Sequence, residues 1–228
     1  MLCAMLAIIS SASFLSVGAQ AATTASKKEV IAKKEAYAPA QKQVMEYDVY
    51  AGGFHVVSAD LTVDAHKKSN YFLRLAAYTH GILAKLAPWH GVFETTGRYD
   101  SKKENPHPDI HLSDTTWRDE KERVEFVYNK DGSFKEHRIF NEKEKGKQPP
   151  KPELSKGTTD VLTSTLKIMA SLAKDGSCDG SDKIFDGARS YNLVFKQQAQ
   201  DVLKPSGYNV YAGPAVRCTV EVKPIAGK

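Results

Sequence analysis

The chain lacks the patterns that identify most enzymes. Three cysteines occur in 228 residues, none in a C-x-x-C arrangement and none with a histidine nearby in sequence. A thiol metal site or a redox motif is therefore not indicated. Ser164 lies outside any G-x-S-x-G motif, and the many carboxylates single out no acid–base pair. We predict a non-enzymatic protein with no catalytic residues and no cofactor.

The sequence also has little excess of charge of either sign. Lys and Arg total 32 against 27 Asp and Glu, a net charge of +5, and the two signs are interspersed. This pattern indicates a solvated surface, with attraction to anionic lipid headgroups or an envelope polymer as the alternative. Hydrophobic residues make up 41% of the chain, which is enough for a folded core.

Long apolar runs are absent except at the start of the chain. Residues 1–21 carry no charge and end in Ala19-Gln20-Ala21, which matches an A-x-A cleavage site. Serines interrupt the run, so we predict a cleaved signal peptide and a soluble mature protein; the alternative is a membrane anchor. Residues 22–42 are predicted to be a flexible linker, followed by a single β-rich domain over residues 43–228. Export makes nucleic acid an improbable partner.

Cleavage would remove Cys3 and leave Cys178 and Cys218, about 40 residues apart. In an oxidising compartment we predict a disulfide between them. The alternative is a catalytic or metal-binding thiol pair.

Strand patterns dominate the chain. Residues 54–65 alternate apolar and polar side chains after the turn Gly52-Gly53, which predicts the first hairpin of about eight to ten strands. Residues 100–109 and 141–157 are charged or rich in proline and are predicted to be loops.

One amphipathic helix is expected after residue 157. Thr158 or Thr159 is its predicted N-cap, Asp160 complements its positive end, and Gly176 ends it. Its apolar stripe comprises Val161, Leu162, Leu166, Met169 and Leu172. The expected fold is mainly β: a curved antiparallel sheet or partly open barrel with this helix packed across it.

Several short motifs, in this order, resemble the bacterial periplasmic domain of unknown function 3108. They are Tyr47-Asp48-Val49-Tyr50 with Gly53, Thr79-His80-Gly81, Asp160-Val161-Leu162-Thr163-Ser164, Phe185-Asp186-Gly187-Ala188-Arg189-Ser190-Tyr191, and Tyr211 to Cys218. The resemblance implies a disulfide-bonded curved sheet, similar to periplasmic lipoprotein carriers, in a Gram-negative periplasm. It implies no established reaction. Members of that family tend to continue beyond the equivalent of Gly227, which favours a truncation at Lys228.

An apolar groove is the first candidate site. Leu83, Leu86, Trp89 and Phe93, with Trp117 across the sheet, could line it. A curved sheet with an apolar face can hold a lipid or a lipidated peptide; the alternative is ordinary core.

Two polar groups are weaker candidates. Asp186 and Arg189 flank a turn and could form a strand-end ion pair or a surface recognised by an envelope protein. His107, Asp109 and His111 are spaced as metal ligands on a strand, but the neighbouring prolines favour a polar loop and no fourth ligand is evident, so we predict no metal site.

Three functions remain open. The first is an envelope protein that binds an apolar ligand or envelope component and supports envelope integrity. The second is a scaffold for other envelope proteins, and the third is a hydrolase on the same fold. The sequence indicates no oligomeric state.

Overall fold

The computed structural model describes residues 42–65, 69–100, 105–140, 151–207 and 211–227. The predicted signal peptide, and all of the predicted linker except Lys42, lie outside these residues. Among the described helices, none is long and apolar enough to span a membrane.

Two antiparallel sheets make up most of the described chain. Seven strands form the larger sheet in chain order: β1 (Gln43–Ala51), β2 (Phe54–Asp64), β3 (Asn70–Thr79), β4 (Trp89–Asp100), β5 (Asn105–Trp117), β6 (Glu120–Tyr128) and β7 (Phe134–Ile139). Three strands form the smaller sheet in the order β10 (Gly213–Gly227), β9 (Arg189–Leu203) and β8 (Gly180–Phe185). Over the described residues β1 and β7 do not pair with each other, so the larger sheet is open and is not a closed barrel.

Within the described ranges three helices accompany the sheets: α1 (Gly81–Leu86), α2 (Pro152–Ser155) and α3 (Val161–Asp175). Of these three, α3 alone is long enough to cross a sheet. The prediction of a mainly β protein, with an antiparallel sheet and one amphipathic helix packed on it, is confirmed.

The strand register gives the larger sheet two distinct faces. Opposed residues of an antiparallel pair point to the same side, so the row Leu61, Leu75 and Phe93 lies on one face. We call this the inner face, because α3 packs on it. The outer face carries cross-strand ion pairs between opposed residues: Arg74–Glu94, Arg123–Asp114 and Arg138–Glu125. The outer face is thus adapted to water.

Helix α3 joins the two sheets through different sides of its surface. Leu162 and Leu166 are buried against Val63 and Leu73 of the larger sheet. Ile168 packs on the cluster formed by β8 and β9. The helix ends where Gly176 adopts a left-handed conformation, as predicted.

The predicted N-cap was wrong. Asp160, and neither threonine, caps α3 by accepting a hydrogen bond from the Thr163 amide. Thr159 instead forms an isolated bridge with Ile184 of β8. Val161 is 38% exposed and does not belong to the buried stripe.

The disulfide prediction is confirmed. Cys178, which is buried, bonds Cys218 of β10. Since β9 lies between β8 and β10 in the sheet, the bridge ties the segment after α3 to the far strand of the smaller sheet.

The predicted loop over residues 100–109 was wrong in part, because β5 begins at Asn105. Pro106 and Pro108 pair with Tyr99 and Gly97 of β4, whereas β6 pairs with β5 only from Ile110 onwards. The first part of β5 is therefore an edge, where a residue without an amide hydrogen is tolerated. Of the predicted loop over 141–157, residues 141–150 lie outside the described chain and α2 occupies part of the rest.

Candidate functional site

The inner face of the larger sheet is covered at one end only. Val63 and Leu73, beneath α3, are 1% and 2% exposed. At the other end of the same face, Tyr47 and Trp117 are each 48% exposed. The single crossing helix therefore leaves an apolar part of this face open to solvent.

Three aromatic side chains dominate the open part. Trp89 and Trp117 are opposed in the register of β4 and β5, and Phe93 follows on the same face of β4. We call Trp89, Phe93 and Trp117 the aromatic platform. Phe93 also packs against the core beneath α3, so the platform continues from the buried core to the surface.

Gly91 allows two of these rings to converge. A Cβ atom at Gly91 would lie 2.8 Å from Cζ2 of Trp89 and 3.0 Å from Cε2 of Phe93. Both rings therefore lie over the glycine, on the floor of the open face. The start of β4 is held by Thr79, whose hydroxyl accepts a 3.0 Å hydrogen bond from the Trp89 amide. The platform thus has a defined position on the sheet.

The two leucines of the predicted groove, Leu83 and Leu86, lie on α1 and not among the three rings of the platform. Helix α1 rests against β2 and β3, and Leu83 is half-buried there. Leu86 is 69% exposed. The structure thus places Trp89, Phe93 and Trp117 together and directs Leu86 towards solvent at the end of the sheet.

A buried polar network lies under α3. The Thr95 hydroxyl donates to Oδ1 of Asp160 at 2.8 Å, and the Thr163 hydroxyl donates to Oδ2 at 2.6 Å. Each hydroxyl has one hydrogen, so each must accept its other bond. His111 Nδ1 therefore donates to Thr95 at 2.7 Å, and the Tyr71 hydroxyl donates to Thr163 at 2.8 Å.

Burial controls the protonation of this network. It lowers the pKa of His111 below its ordinary value, an effect that the Asp160 carboxylate 3.4 Å away opposes. Burial also raises the pKa of the Tyr71 hydroxyl, and Asp160 adds to that rise. At neutral pH the network holds a neutral imidazole and a neutral phenol. Thr95 and Asp160 are 0% and 2% exposed, so the network fixes α3 to the sheet and offers no access to a substrate.

Ser164, which lies outside any G-x-S-x-G motif, is 0% exposed in α3 and is therefore not accessible to a substrate.

Asp186 and Arg189 form the local arrangement typical of a turn. Asp186 accepts hydrogen bonds from the Ala188 and Arg189 amides and makes a 3.1 Å ion pair with the Arg189 guanidinium. These contacts show that both residues stabilise the turn between β8 and β9. Recognition of this turn by a partner stays a prediction.

The three residues spaced as metal ligands point to different surroundings. His111 belongs to the buried network, whereas Asp109 pairs with Arg98. His107 lies over Gly132, where an added Cβ would overlap its ring. A register shift in this part of the β4–β5 pairing breaks the alternation between His107 and His111. Within the described residues, no group of three His, Cys, Asp or Glu side chains is placed to hold a metal ion.

Sequence reasoning missed the buried network. The signal was Thr95, a polar residue in the inward series of β4 that also contains Trp89 and Phe93. His111 gave no such signal, because the inward series of β5 also contains Ser113 and Thr115. Their partner, Asp160, is 65 residues from Thr95, and no local pattern connects them.

The fold and the candidate site define a class: an open antiparallel sheet with one crossing helix, a disulfide and an exposed aromatic face. Residues 46–228 match the family described as Protein of unknown function (DUF3108). The chain belongs to this family. Neither a curated protein nor a solved structure matches the chain.

Proposed function

We propose that this protein is a non-enzymatic binding protein of the bacterial cell envelope, which holds an apolar ligand on its aromatic platform. The ligand class is a lipid or a lipidated peptide, and the role is to support envelope integrity. The carrying observation is that α3 covers one end of the inner face and leaves beside it Trp117, which is 48% exposed, and Trp89, which is half-buried.

The physical argument concerns exposed apolar area. A sheet face lined by aromatic rings has a favourable free energy of transfer from water. Folded monomers rarely leave such a face uncovered unless something binds there. The three rings lie on neighbouring strands of a rigid sheet, so a bound chain would meet a preformed surface.

Two observations support export to the periplasm as the setting. The Cys178–Cys218 disulfide is the kind of bond that persists in an oxidising compartment. The uncharged N-terminal run ending in Ala19-Gln20-Ala21 matches a secretory signal.

The test is native mass spectrometry of the protein purified from the periplasm without detergent, with an organic extract analysed in parallel. We expect an adduct of lipid-like mass that is lost in Trp117→Ala. Tyr78→Ala is the matched control, because Tyr78 is also 48% exposed but lies on the outer face of the same sheet.

A second measurement uses a fluorescent long-chain fatty acid below its critical micelle concentration. Trp117→Ala should weaken binding of the fatty acid about tenfold, which corresponds to the loss of one aromatic contact of about 1.4 kcal/mol. Tyr78→Ala should leave the affinity unchanged. An apo mass without extractable lipid, together with equal probe binding by both variants, would refute the proposal and direct attention to protein partners.

A further inference from the structure

The first residues of β6 separate charges between the two faces of the larger sheet. Successive side chains of a strand point to opposite sides, and Glu120 opposes Trp117 of the inner face. Glu120 and Glu122 therefore lie on the inner face, whereas Lys121 and Arg123 lie on the outer face. Both glutamates are exposed. The inner face is thus acidic directly beside the aromatic platform.

The rest of this part of the inner face is uncharged. Opposed residues form a row across β1 to β6 that consists of Tyr47, Ala59, Ala77, Gly91, Thr115 and finally Glu122. In the next row, Trp89 opposes Trp117, which in turn opposes Glu120. Along both rows the charged positions that the structure describes are the two glutamates of β6. The open face therefore presents aromatic rings and negative charge together.

Two cations lie close to the platform tryptophans in the chain, and neither reverses this balance. Arg118 is in the β5–β6 turn, where Asp119 follows it, so the turn itself has no net charge. Lys85 belongs to α1, which contacts β2 and β3, on the side of the rings away from β6. Negative charge therefore dominates at the β6 side of the platform.

Glu122 is placed to act together with the platform. It is the diagonal cross-strand neighbour of Trp117, and such neighbours lie about 7–8 Å apart, within reach of long side chains. A cation over the face of an aromatic ring is attracted by the electrons of the ring, and tryptophan gives the strongest attraction of this kind. An ammonium group between Trp117 and Glu122 would gain both attractions at once.

The position of the rings selects a ligand without peptide groups. Strands β4 and β5 each pair with a strand on both sides, so their backbone groups are already hydrogen-bonded. A peptide that binds a sheet usually adds a strand at a free edge, and on this face its own amides would find no backbone partners. An acyl chain has no polar groups to satisfy, so it can lie across the rings without that cost.

We propose that the ligand of the aromatic platform is a lipid whose head group carries a free ammonium. The acyl chain lies on the three rings, and the ammonium lies at the β6 side, where it binds the Glu122 carboxylate. Glu120 adds negative charge on the same side. This inference rests on the proposed function, since it assigns a head group to the ligand of the same platform.

The test uses tryptophan fluorescence, because the two tryptophans of the chain, Trp89 and Trp117, both belong to the platform. Protein purified from the periplasm is titrated with dodecylammonium, dodecyl maltoside and dodecyl sulfate, each below its critical micelle concentration. These three probes share one alkyl chain and differ in the charge of the head group. Butylammonium tests the head group without a long chain, and a peptide of lysine residues tests the alternative occupant.

The test variant is Glu122→Gln. The matched control is Glu46→Gln, which removes the same charge from an exposed position on the outer face of β1. Both positions are exposed, so both variants should keep the wild-type melting temperature.

We expect the wild-type protein and the control to bind dodecylammonium about tenfold more tightly than dodecyl maltoside. Glu122→Gln should reduce this preference to less than about threefold without changing the affinity for dodecyl maltoside. Glu122→Lys should reverse the order and favour dodecyl sulfate, because it replaces a negative charge by a positive one at the same place.

Equal affinity of the wild-type protein for the three dodecyl probes, or an unchanged preference in Glu122→Gln, would overturn the head-group assignment and leave the proposed function in place. If no dodecyl probe binds, the proposed function fails as well. Butylammonium binding as tightly as dodecylammonium would overturn the lipid assignment, since the chain would then contribute nothing. Tighter binding of the lysine peptide than of dodecylammonium would assign the site to a basic peptide instead.

Discussion

The Asp160 carboxylate organises the core beneath α3, and its removal should cost more than the loss of an ordinary helix cap. Asp160 accepts hydrogen bonds from the Thr163 amide, the Thr163 hydroxyl and the Thr95 hydroxyl. Asp160→Ala removes all three and leaves two buried hydroxyls without their acceptor.

The magnitude follows from these contacts. Loss of the cap costs about 1 kcal/mol, and each buried hydroxyl deprived of its acceptor costs about 1–2 kcal/mol more. Removal of the buried charge returns part of its desolvation cost. We therefore expect the free energy of unfolding to fall by about 3 kcal/mol.

Urea denaturation followed by circular dichroism measures this change, with the m-value as a check on two-state behaviour. Asp160→Asn keeps one acceptor oxygen and should lose about half as much. Thr165→Ala, which removes an exposed hydroxyl bonded to the Val161 carbonyl, should change the free energy by less than about 0.5 kcal/mol. A loss below about 1 kcal/mol in Asp160→Ala, at unchanged m-value, would show that the network does not hold α3 to the sheet.

Three further predictions test other parts of the fold. Because the pKa of His111 is lowered in the folded protein, the unfolded chain binds a proton first as the pH falls. The free energy of unfolding should therefore decrease below about pH 6.5, by at most about 1.4 kcal/mol per pH unit. Urea denaturation at several pH values between about 7.5 and about 5 should show a weaker dependence of stability on pH in His111→Gln. Cys218→Ser removes a disulfide that joins residues 40 positions apart and should lower the free energy of unfolding by up to about 4 kcal/mol. Reductant should destabilise the wild-type protein by the same amount and should have no further effect on the variant. Gly97→Ala would drive a methyl group into the ring of Tyr71 and should destabilise by about 1–3 kcal/mol, whereas Gly207→Ala meets no atom within 4 Å and should be neutral; equal melting curves for these two variants would contradict the packing described for β4.

The sequence determined the local elements, because their signals lie within a few residues of one another. Alternation about Gly52-Gly53 specified the first hairpin, and the spacing of Leu162, Leu166 and Met169 specified the long helix. Two cysteines remaining in a chain expected to be exported specified the disulfide. Each of these features follows from backbone propensity, side-chain periodicity or redox chemistry.

Only the tertiary structure decided which residues meet and which stay in water. Pro106 and Pro108 are part of β5 because β6 does not reach them, a fact of register that no local pattern contains. Asp160 caps α3 and also binds Thr95, since the fold brings a helix terminus onto the middle of a sheet. The aromatic platform differs from ordinary core only because α3 covers one end of the inner face. Coverage depends on packing between distant elements, and for that reason the sequence could predict the apolar residues but not their exposure.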